Sequence, residues 1–265
     1  MRPLLAAFTL FVLLYSCSKE DLPQASGERL HRIVSSDGDS TAYLNFNYDS
    51  EDKLTIIEDS NSQTHLGRTF LFYNENKQMV KRVSMRYYGS LNNLLSQWTD
   101  SFVYDNKNRI IKTVLISTQN NTPSFRTINT FSYDEQGRLL ADTAHNYWNN
   151  DIAALTRFTY DGSGDVVQSE NIFYMSGAVQ GSTIAKISYS ATDNPYKVLG
   201  MAAYLFLHDK DMILSKHLPL QVSFQDNSTS SYSYEYYSSG LPKKVINVYS
   251  SQNWSSQNTT EFFYQ

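Results

Sequence analysis

A short signature returns seven times along this chain, and its period limits the possible folds more than any other feature. Each copy is an aromatic stretch that ends in tyrosine, followed by a polar turn and usually by a basic and an aliphatic residue. The copies begin at Tyr48, Tyr73, Tyr104, Tyr133, Tyr160, Tyr189 and Tyr236, and Phe262-Phe263-Tyr264 ends the chain in the same way. The successive spacings are 25, 31, 29, 27, 29, 47 and 28 residues. A hairpin of this length buries a face only against its neighbours, so the period predicts an array of adjoining hairpins.

The residues around each turn predict strands rather than helices. In Phe131-Ser132-Tyr133 the two aromatic side chains lie on one face of a strand. The Asp or Asn after the tyrosine is suited to accept hydrogen bonds from the turn backbone, and Gly137, Gly164 and Asn108 are suited to a positive φ. We therefore expect an all-β, up-and-down antiparallel meander of about 14–16 strands that curls into a barrel-like soluble domain.

These motifs resemble two known groups of proteins. The copy Tyr-Asp-x-x-Gly-Arg-Leu at Tyr133 resembles the YD repeats of Rhs-like proteins. Together with Asn194-Pro195, Ser215-Lys216 and Pro219, it also resembles a Bacteroidota lipoprotein family of unknown function that has a porin-like fold. The resemblance covers nearly the whole chain after the N-terminal segment and implies a barrel. It implies no activity, because that family has none established.

The N-terminal segment has the pattern of a targeting signal. Arg2 precedes an apolar run of 12 residues from Leu4 to Tyr15, which is too short to span a bilayer as a helix. Leu14-Tyr15-Ser16-Cys17 resembles the lipobox of bacterial lipoproteins, and Cys17 is the single cysteine of the chain. The alternative is an ordinary secretory signal. The predicted divisions are a lipoprotein signal peptide at 1–16, a tether at 17–28 and a single β-repeat domain at 29–265.

The lipobox resemblance implies a location in the bacterial envelope. Cys17 would become an acylated N-terminus that anchors the protein to the outer membrane. Ser18-Lys19-Glu20-Asp21 resembles the acidic tether of surface-exported lipoproteins, and both the cell surface and the periplasmic side remain open. Removal of the signal would leave 21 basic and 26 acidic residues. This balance gives no electrostatic reason to expect a nucleic-acid partner.

One interval, from Tyr189 to Tyr236, is much longer than the others. Asn194-Pro195 has the pattern of a helix start, and the residues from Val198 to Leu207 are mostly apolar on every side. We therefore expect a helical insertion at 194–218, with a buried helix near 195–210. The favoured interpretation is a plug that closes one mouth of the barrel, and the alternative is one wall of a ligand cavity.

A barrel that crosses the outer membrane is a second possible architecture. Such a barrel needs an unbroken apolar band facing lipid on every strand. Here Lys112 is expected to share a face with Ile110 and Val114, and Arg157 to share one with Thr159. Because charges interrupt the apolar faces, the sequence favours a barrel surrounded by water.

Motifs for catalysis or metal binding are absent from the sequence. It has no G-x-S-x-G, P-loop or H-E-x-x-H pattern. His208, Asp209, Asp211 and His217 match no known spacing of metal ligands, and Asp161–Asp165 falls where each repeat needs a turn. We therefore expect no enzyme activity, no cofactor and no bound metal. An unrecognised hydrolase is the less favoured alternative, since two carboxylates that are distant in sequence can meet in space.

The connections away from the tyrosine turns are expected to be longer and are rich in amides and aromatic residues. Aromatic faces stack on the C–H bonds of sugars, and amides form hydrogen bonds with their hydroxyl groups. The candidate ligand-binding residues are Trp98, Tyr147, Trp148, Asn149, Asn253 and Trp254. The alternative is that these aromatic residues pack structurally at strand ends. The sequence thus favours a non-catalytic module that binds a glycan or another envelope component, and its alternative is a scaffold for an outer-membrane partner protein.

Overall fold

The protein is a closed barrel of antiparallel strands. The computed structural model describes residues 29–38, 40–61, 65–119, 122–146, 150–196, 204–205 and 213–265. Each of the 16 strands pairs with its neighbours in sequence, and β1 pairs with β16 to close the wall. The predicted all-β meander is therefore confirmed, with the upper number of strands and a closed wall.

The strands alternate in direction around the barrel. They are β1 (Leu30–Asp37), β2 (Ser40–Tyr48), β3 (Leu54–Asn61), β4 (His65–Tyr73), β5 (Met79–Tyr88), β6 (Leu94–Tyr104), β7 (Ile110–Gln119), β8 (Thr122–Tyr133), β9 (Leu139–Asn146), β10 (Ile152–Tyr160), β11 (Val166–Met175), β12 (Ala178–Asp193), β13 (His217–Phe224), β14 (Thr229–Tyr236), β15 (Pro242–Ser250) and β16 (Ser255–Tyr264). The tyrosine turns therefore all lie at one end of the barrel.

The turns are organised by the residues that the repeat conserves within the chain. Oδ1 of Asp134 accepts a hydrogen bond from the backbone N–H of Arg138 at 2.8 Å. The expected positive φ is found at Gly137, Gly164 and Asn108, with values of 83°, 95° and 63°. The Arg138 side chain also connects neighbouring turns, because Nε donates to Asp134 at 2.6 Å and Nη1 donates to the Asp161 carbonyl at 3.2 Å.

A bulge after each of six tyrosine turns changes the face that the returning strand presents. Tyr104 pairs with Ile110, but Val103 pairs with Lys112, so one residue of β7 has no partner across the pair. The same shift follows the turns after Tyr48, Tyr73, Tyr133, Tyr160 and Tyr236. Ile110 is consequently buried in the core. The expectation that Ile110 shares a face with Lys112 is wrong, because the extra residue reverses the alternation between them.

The repeated tyrosines join each hairpin to the one before it, with Tyr234 taking the place of Tyr236 in the seventh copy. The Tyr133 hydroxyl donates to the carbonyl of Ile110, the first residue of β7, at 2.6 Å. Equivalent bonds run from Tyr48, Tyr73, Tyr104, Tyr160, Tyr189, Tyr234 and Tyr264 to the carbonyls of Leu30, Leu54, Met79, Leu139, Val166, Pro219 and Pro242. We call this set the tyrosine ladder. Each bond satisfies a backbone acceptor close to a bulge, which explains why the repeat carries tyrosine rather than phenylalanine.

The connection between β12 and β13 fills the barrel at the tyrosine-turn end. Sixteen strands enclose an interior that wall side chains alone do not fill. Tyr204 is 1% exposed, and its ring lies 6.3 Å from the rings of both Phe131 and Phe158. Tyr196 and Ile213 from the same connection also join the core. We call this the plugged end and the opposite end the open end.

Parts of the predicted organisation lie outside the described residues. They include the signal peptide and tether at 1–28 and most of the helix expected at Val198–Leu207. The described residues of the connection form short helical turns at 195–196, 204–205 and 213–214. No helix among the described residues is long and apolar enough to cross a membrane.

Candidate functional site

The interior of the barrel changes from packed to accessible along its length. On β6, Phe102 and Asp100 are 9% and 3% exposed, and Trp98, the next residue on that face towards the open end, is partly exposed. On β11, Ser169 is 1% exposed and Phe173, on the same face, is 51% exposed. Alternate residues of a strand point to the same side, so both series follow the inner surface. The open end therefore presents an accessible lumen.

The connections at the open end are shorter than the sequence suggested. They contain between two and five residues, and the tyrosine turns contain five, apart from the long connection between β12 and β13, as the bounds of the strands show. The expectation of longer connections is wrong, because β6, β7 and β8 continue through Trp98, Ser117 and Phe125. Backbone pairing extends towards the rim, so the amides and aromatic residues that the sequence placed in loops partly belong to the wall.

The predicted site residues do not form one cluster. Trp98 lies within β6, with its side chain partly exposed. Asn253 and Trp254 are exposed in the connection between β15 and β16, and the Trp254 ring lies 5.5 Å from that of Tyr249. On the shorter path around the wall, six strands lie between β6 and β15. Tyr147, Trp148, Asn149 and Cys17 lie outside the described residues.

Trp98 shares the inner wall with two charged residues that the sequence did not nominate. Asp59 of β3 pairs with Gly67 of β4, which in turn pairs with Arg86 of β5. These residues alternate in phase with Ile57 and Leu71 of the core, so they face the lumen. The guanidinium carbon of Arg86 lies 5.7 Å from the centroid of the Trp98 ring. We call Asp59, Arg86 and Trp98 the lumen triad.

A second arginine–aspartate pair lies nearer the plugged end, and its charged groups bind each other and the insertion. Nη2 of Arg82 lies 2.6 Å from Oδ2 of Asp100, and Nη1 donates to the Leu205 carbonyl at 2.7 Å. Both side chains are largely buried. Arg82 therefore holds the insertion against the wall, and this pair has a structural role.

The electrostatic surroundings of the two aspartates differ in how the charge is compensated. Burial raises the pKa of Asp59, and the positive charge of Arg86 lowers it in part. Burial also raises the pKa of Asp100, and Arg82 opposes that rise through both its charge and a hydrogen bond. In the part of the chain that is described, Asp59 and Arg86 interact through their charges without such a bond. The Asp59 carboxylate also accepts a hydrogen bond from its own backbone N–H, and its remaining lone pairs and the Arg86 donors are available to a ligand.

The wall across the lumen carries aromatic and amide groups. Tyr249 lies 6.4 Å from Phe224, ring to ring, in addition to its contact with Trp254. Asn247 of β15 pairs with Asn258 of β16, and each has a buried Oδ1 without a hydrogen-bond partner among the described residues. Both oxygens are buried, so the part of this wall that faces the lumen openly consists of the aromatic rings.

The residues weighed as metal ligands have other roles where they are described. His217 donates its backbone N–H to Asp165 at 2.8 Å, and its Nδ1 lies 2.7 Å from the same carboxylate. The Asp161 carboxylate accepts hydrogen bonds from Ser163, Gly164 and Asp165, so it organises its own turn. No group of three His, Cys, Asp or Glu residues suited to a metal occurs among the described residues. His208, Asp209 and Asp211 lie outside them.

Comparison with solved structures finds a similar fold in a bacterial protein. The barrel is similar to a porin-like protein from Bacteroides uniformis ATCC 8492, with a TM-score of 0.56 and 10% identity over 89% of this chain and 96% of that one. A porin-like protein from Bacteroides vulgatus ATCC 8482 matches with a TM-score of 0.44 and 10% identity over 90% and 99%. No protein-family model and no curated protein sequence matches the chain. At this identity, the first similarity supports the porin-like fold and nothing finer.

Proposed function

We propose that this protein is a non-catalytic envelope lipoprotein that binds a glycan or another envelope component in the open end of its barrel. The observation that carries the proposal is the gradient inside the barrel, from a plugged end to an accessible lumen. That lumen presents an indole, a guanidinium and a carboxylate on one wall and aromatic rings on the other. Apolar faces combined with a few placed polar groups are typical of small-molecule sites.

The outer face supports a barrel that is surrounded by water and held to the membrane by an anchor. Arg68 pairs with Glu58 at 2.6 Å, and Arg157 pairs with Glu170 at 3.5 Å. Both pairs lie on the face opposite the core, where lipid would surround a membrane-spanning barrel. Acylation of Cys17 would then supply the attachment to the outer membrane, on the surface or the periplasmic side.

The anchor is tested by replacing the acylated residue. We expect Cys17→Ser to move the protein from the membrane fraction to the soluble fraction of the producing cells. The wild-type protein fractionated in parallel is the control. Unchanged fractionation of the variant would contradict the anchor while leaving the ligand proposal in place.

The ligand is tested with a glycan array and with an affinity matrix of envelope polysaccharide. We expect retention of the full mature protein and weaker retention of Trp254→Ala. Trp254 is 60% exposed, so its truncation removes little buried surface and should leave the melting temperature nearly unchanged. A large loss of stability in this variant would mean a structural role for Trp254. Failure of the wild-type protein to bind any glycan would reject a glycan as the ligand and favour the scaffold alternative below.

The alternative function is a scaffold for an outer-membrane partner protein, and the hairpin of β11 and β12 favours it. Phe173, Met175 and Val179 are 51%, 67% and 60% exposed near the tip of this hairpin. Exposed apolar groups that lie close together often mark protein-binding surfaces. Cross-linking in intact cells, followed by mass spectrometry, should recover a partner through this hairpin if the scaffold function is correct. Replacement of Met175 and Val179 by serine should then abolish the cross-links.

A further inference from the structure

The lumen triad has a geometry that distinguishes it from an ordinary surface arginine. Asp59, Gly67 and Arg86 lie directly across from one another on β3, β4 and β5. A Cβ added to Gly67 would lie 1.7 Å from Oδ1 of Asp59. The carboxylate therefore lies over the Gly67 backbone, on the side of the strand pair that leads towards Arg86. A glycine inside a strand typically marks such a close approach.

The charged groups of the lumen triad can still bind a ligand, in contrast to those of the Arg82–Asp100 pair nearer the plugged end. Arg82 is used by Asp100 and by the Leu205 carbonyl. No side-chain hydrogen bond or ion pair joins Asp59 to Arg86 in the described part of the chain, although Arg86 acts on the Asp59 carboxylate through its charge. One strong donor and one strong acceptor are thus presented side by side, next to an apolar ring.

This combination selects the chemistry of the ligand. A lone anion would be attracted by Arg86 and repelled by Asp59, whereas a lone cation would be repelled by Arg86 and attracted by Asp59. A hydroxyl group accepts and donates hydrogen bonds, so two neighbouring hydroxyls satisfy the guanidinium and the carboxylate at once. Hydrogen bonds of this kind are strengthened by the charge on the protein group.

We propose that Asp59, Arg86 and Trp98 form a subsite for one neutral sugar ring of a glycan. Neighbouring hydroxyls accept from Arg86 and donate to Asp59, and the C–H face of the ring contacts the exposed part of the Trp98 indole. The inference rests on the proposed glycan-binding function and goes beyond it by assigning the residues and the charge class of the ligand.

The test measures calorimetric affinities of the full mature protein for defined oligosaccharides. The neutral probes are maltoheptaose, cellohexaose and mannohexaose, and the charged probes are an oligogalacturonide and a chitosan oligomer. For any neutral probe that binds, Arg86→Gln and Asp59→Asn should each raise the Kd by about tenfold or more, because each removes a charged hydrogen-bond group. Trp98→Phe should raise it by a smaller factor, since a smaller ring remains.

Two variants on the outer face are matched controls for the same chemical changes. Arg157→Gln and Glu170→Gln alter a charged pair that faces away from the lumen, and they should leave the Kd within about twofold. Thermal melts of all variants confirm folding. Arg86 and Asp59 lack a mutual hydrogen bond, so their substitution should change the melting temperature little.

The outcomes separate the subsite from the general function. Binding of a neutral probe that Arg86→Gln, Asp59→Asn and Trp98→Phe leave unchanged would overturn the subsite and retain the glycan-binding function. Preferential binding of the oligogalacturonide, with a lower Kd for Asp59→Asn, would refute the proposal that the ligand is a neutral sugar. If the protein binds no probe on this panel and none on the glycan array, both the glycan-binding function and the subsite are rejected.

Discussion

Tyr133→Phe tests whether the tyrosine ladder stabilises the barrel through its hydroxyl groups. The substitution keeps the ring, including its contact with the Arg109 guanidinium at 4.7 Å, and removes the 2.6 Å bond to the Ile110 carbonyl. Ile110 is 5% exposed, so water does not readily replace the lost donor. A lost neutral hydrogen bond that leaves a buried acceptor unsatisfied should cost about 1–2 kcal/mol of unfolding free energy. In a barrel of this size, this corresponds to a fall of about 3–6 °C in melting temperature.

The measurement is the urea midpoint followed by circular dichroism, together with a thermal melt. Tyr43→Phe is the matched control, because Tyr43 stacks on Arg32 on the outer face and its hydroxyl bonds to no described residue. The control should change the unfolding free energy by less than about 0.5 kcal/mol. If Tyr133→Phe costs no more than Tyr43→Phe, the ladder does not contribute in the way we describe.

Three further predictions concern stability. Gly137→Val should lower the free energy of unfolding by about 1–2 kcal/mol in thermal melts, because a β-branched residue resists the φ of 83° at this position. Asp52→Ala should lower it by less, since a residue with a side chain already adopts a φ of 65° there. The reverse order would contradict the turn geometry. Gly67→Ala should lower the free energy of unfolding, measured with urea, by about 1–3 kcal/mol, because the added methyl group meets the Asp59 carboxylate. Adding Asp59→Ala in a double variant should restore most of that stability. Additive losses would show that the added methyl group and the Asp59 carboxylate do not compete for space. Burial raises the pKa of Tyr133 from 10.0 to about 12, so the unfolded state loses this proton first and stability should fall between pH 10 and 12; equal urea midpoints below and above that window would refute this.

The local features of the fold were predictable because they depend on residues close together in sequence. The Asp134 carboxylate and Gly137 form their turn within a few residues of one another, so the motif contains the geometry. The tyrosine hydroxyls act over 15 to 25 residues, and no local pattern indicates which carbonyl each of them reaches. The bulges were not predicted either, because the use of periodicity assumes that side chains alternate between the two faces along the whole of each strand.

The candidate site was less predictable than the fold. Trp98 was selected for its aromatic ring, but it was expected in a loop and lies within a strand. Asp59 and Arg86 were not selected, because nothing near them in sequence indicates that they share a wall. Two signals were present: a glycine inside a strand at Gly67, and two arginines four residues apart, Arg82 and Arg86, which alternation places on one face. Neither signal indicates which partner residues lie opposite.

The sequence by itself determined the hairpin repeat, the turn geometry and the all-β class, because these follow from backbone preferences and contacts within one unit. Only the tertiary structure decided that the meander closes, that Tyr204 fills one end, and that Asp59 meets Arg86 across Gly67. These features depend on the register between strands and on the width of the closed barrel. Register is set by the summed packing of all strand pairs, so no single stretch of sequence contains it.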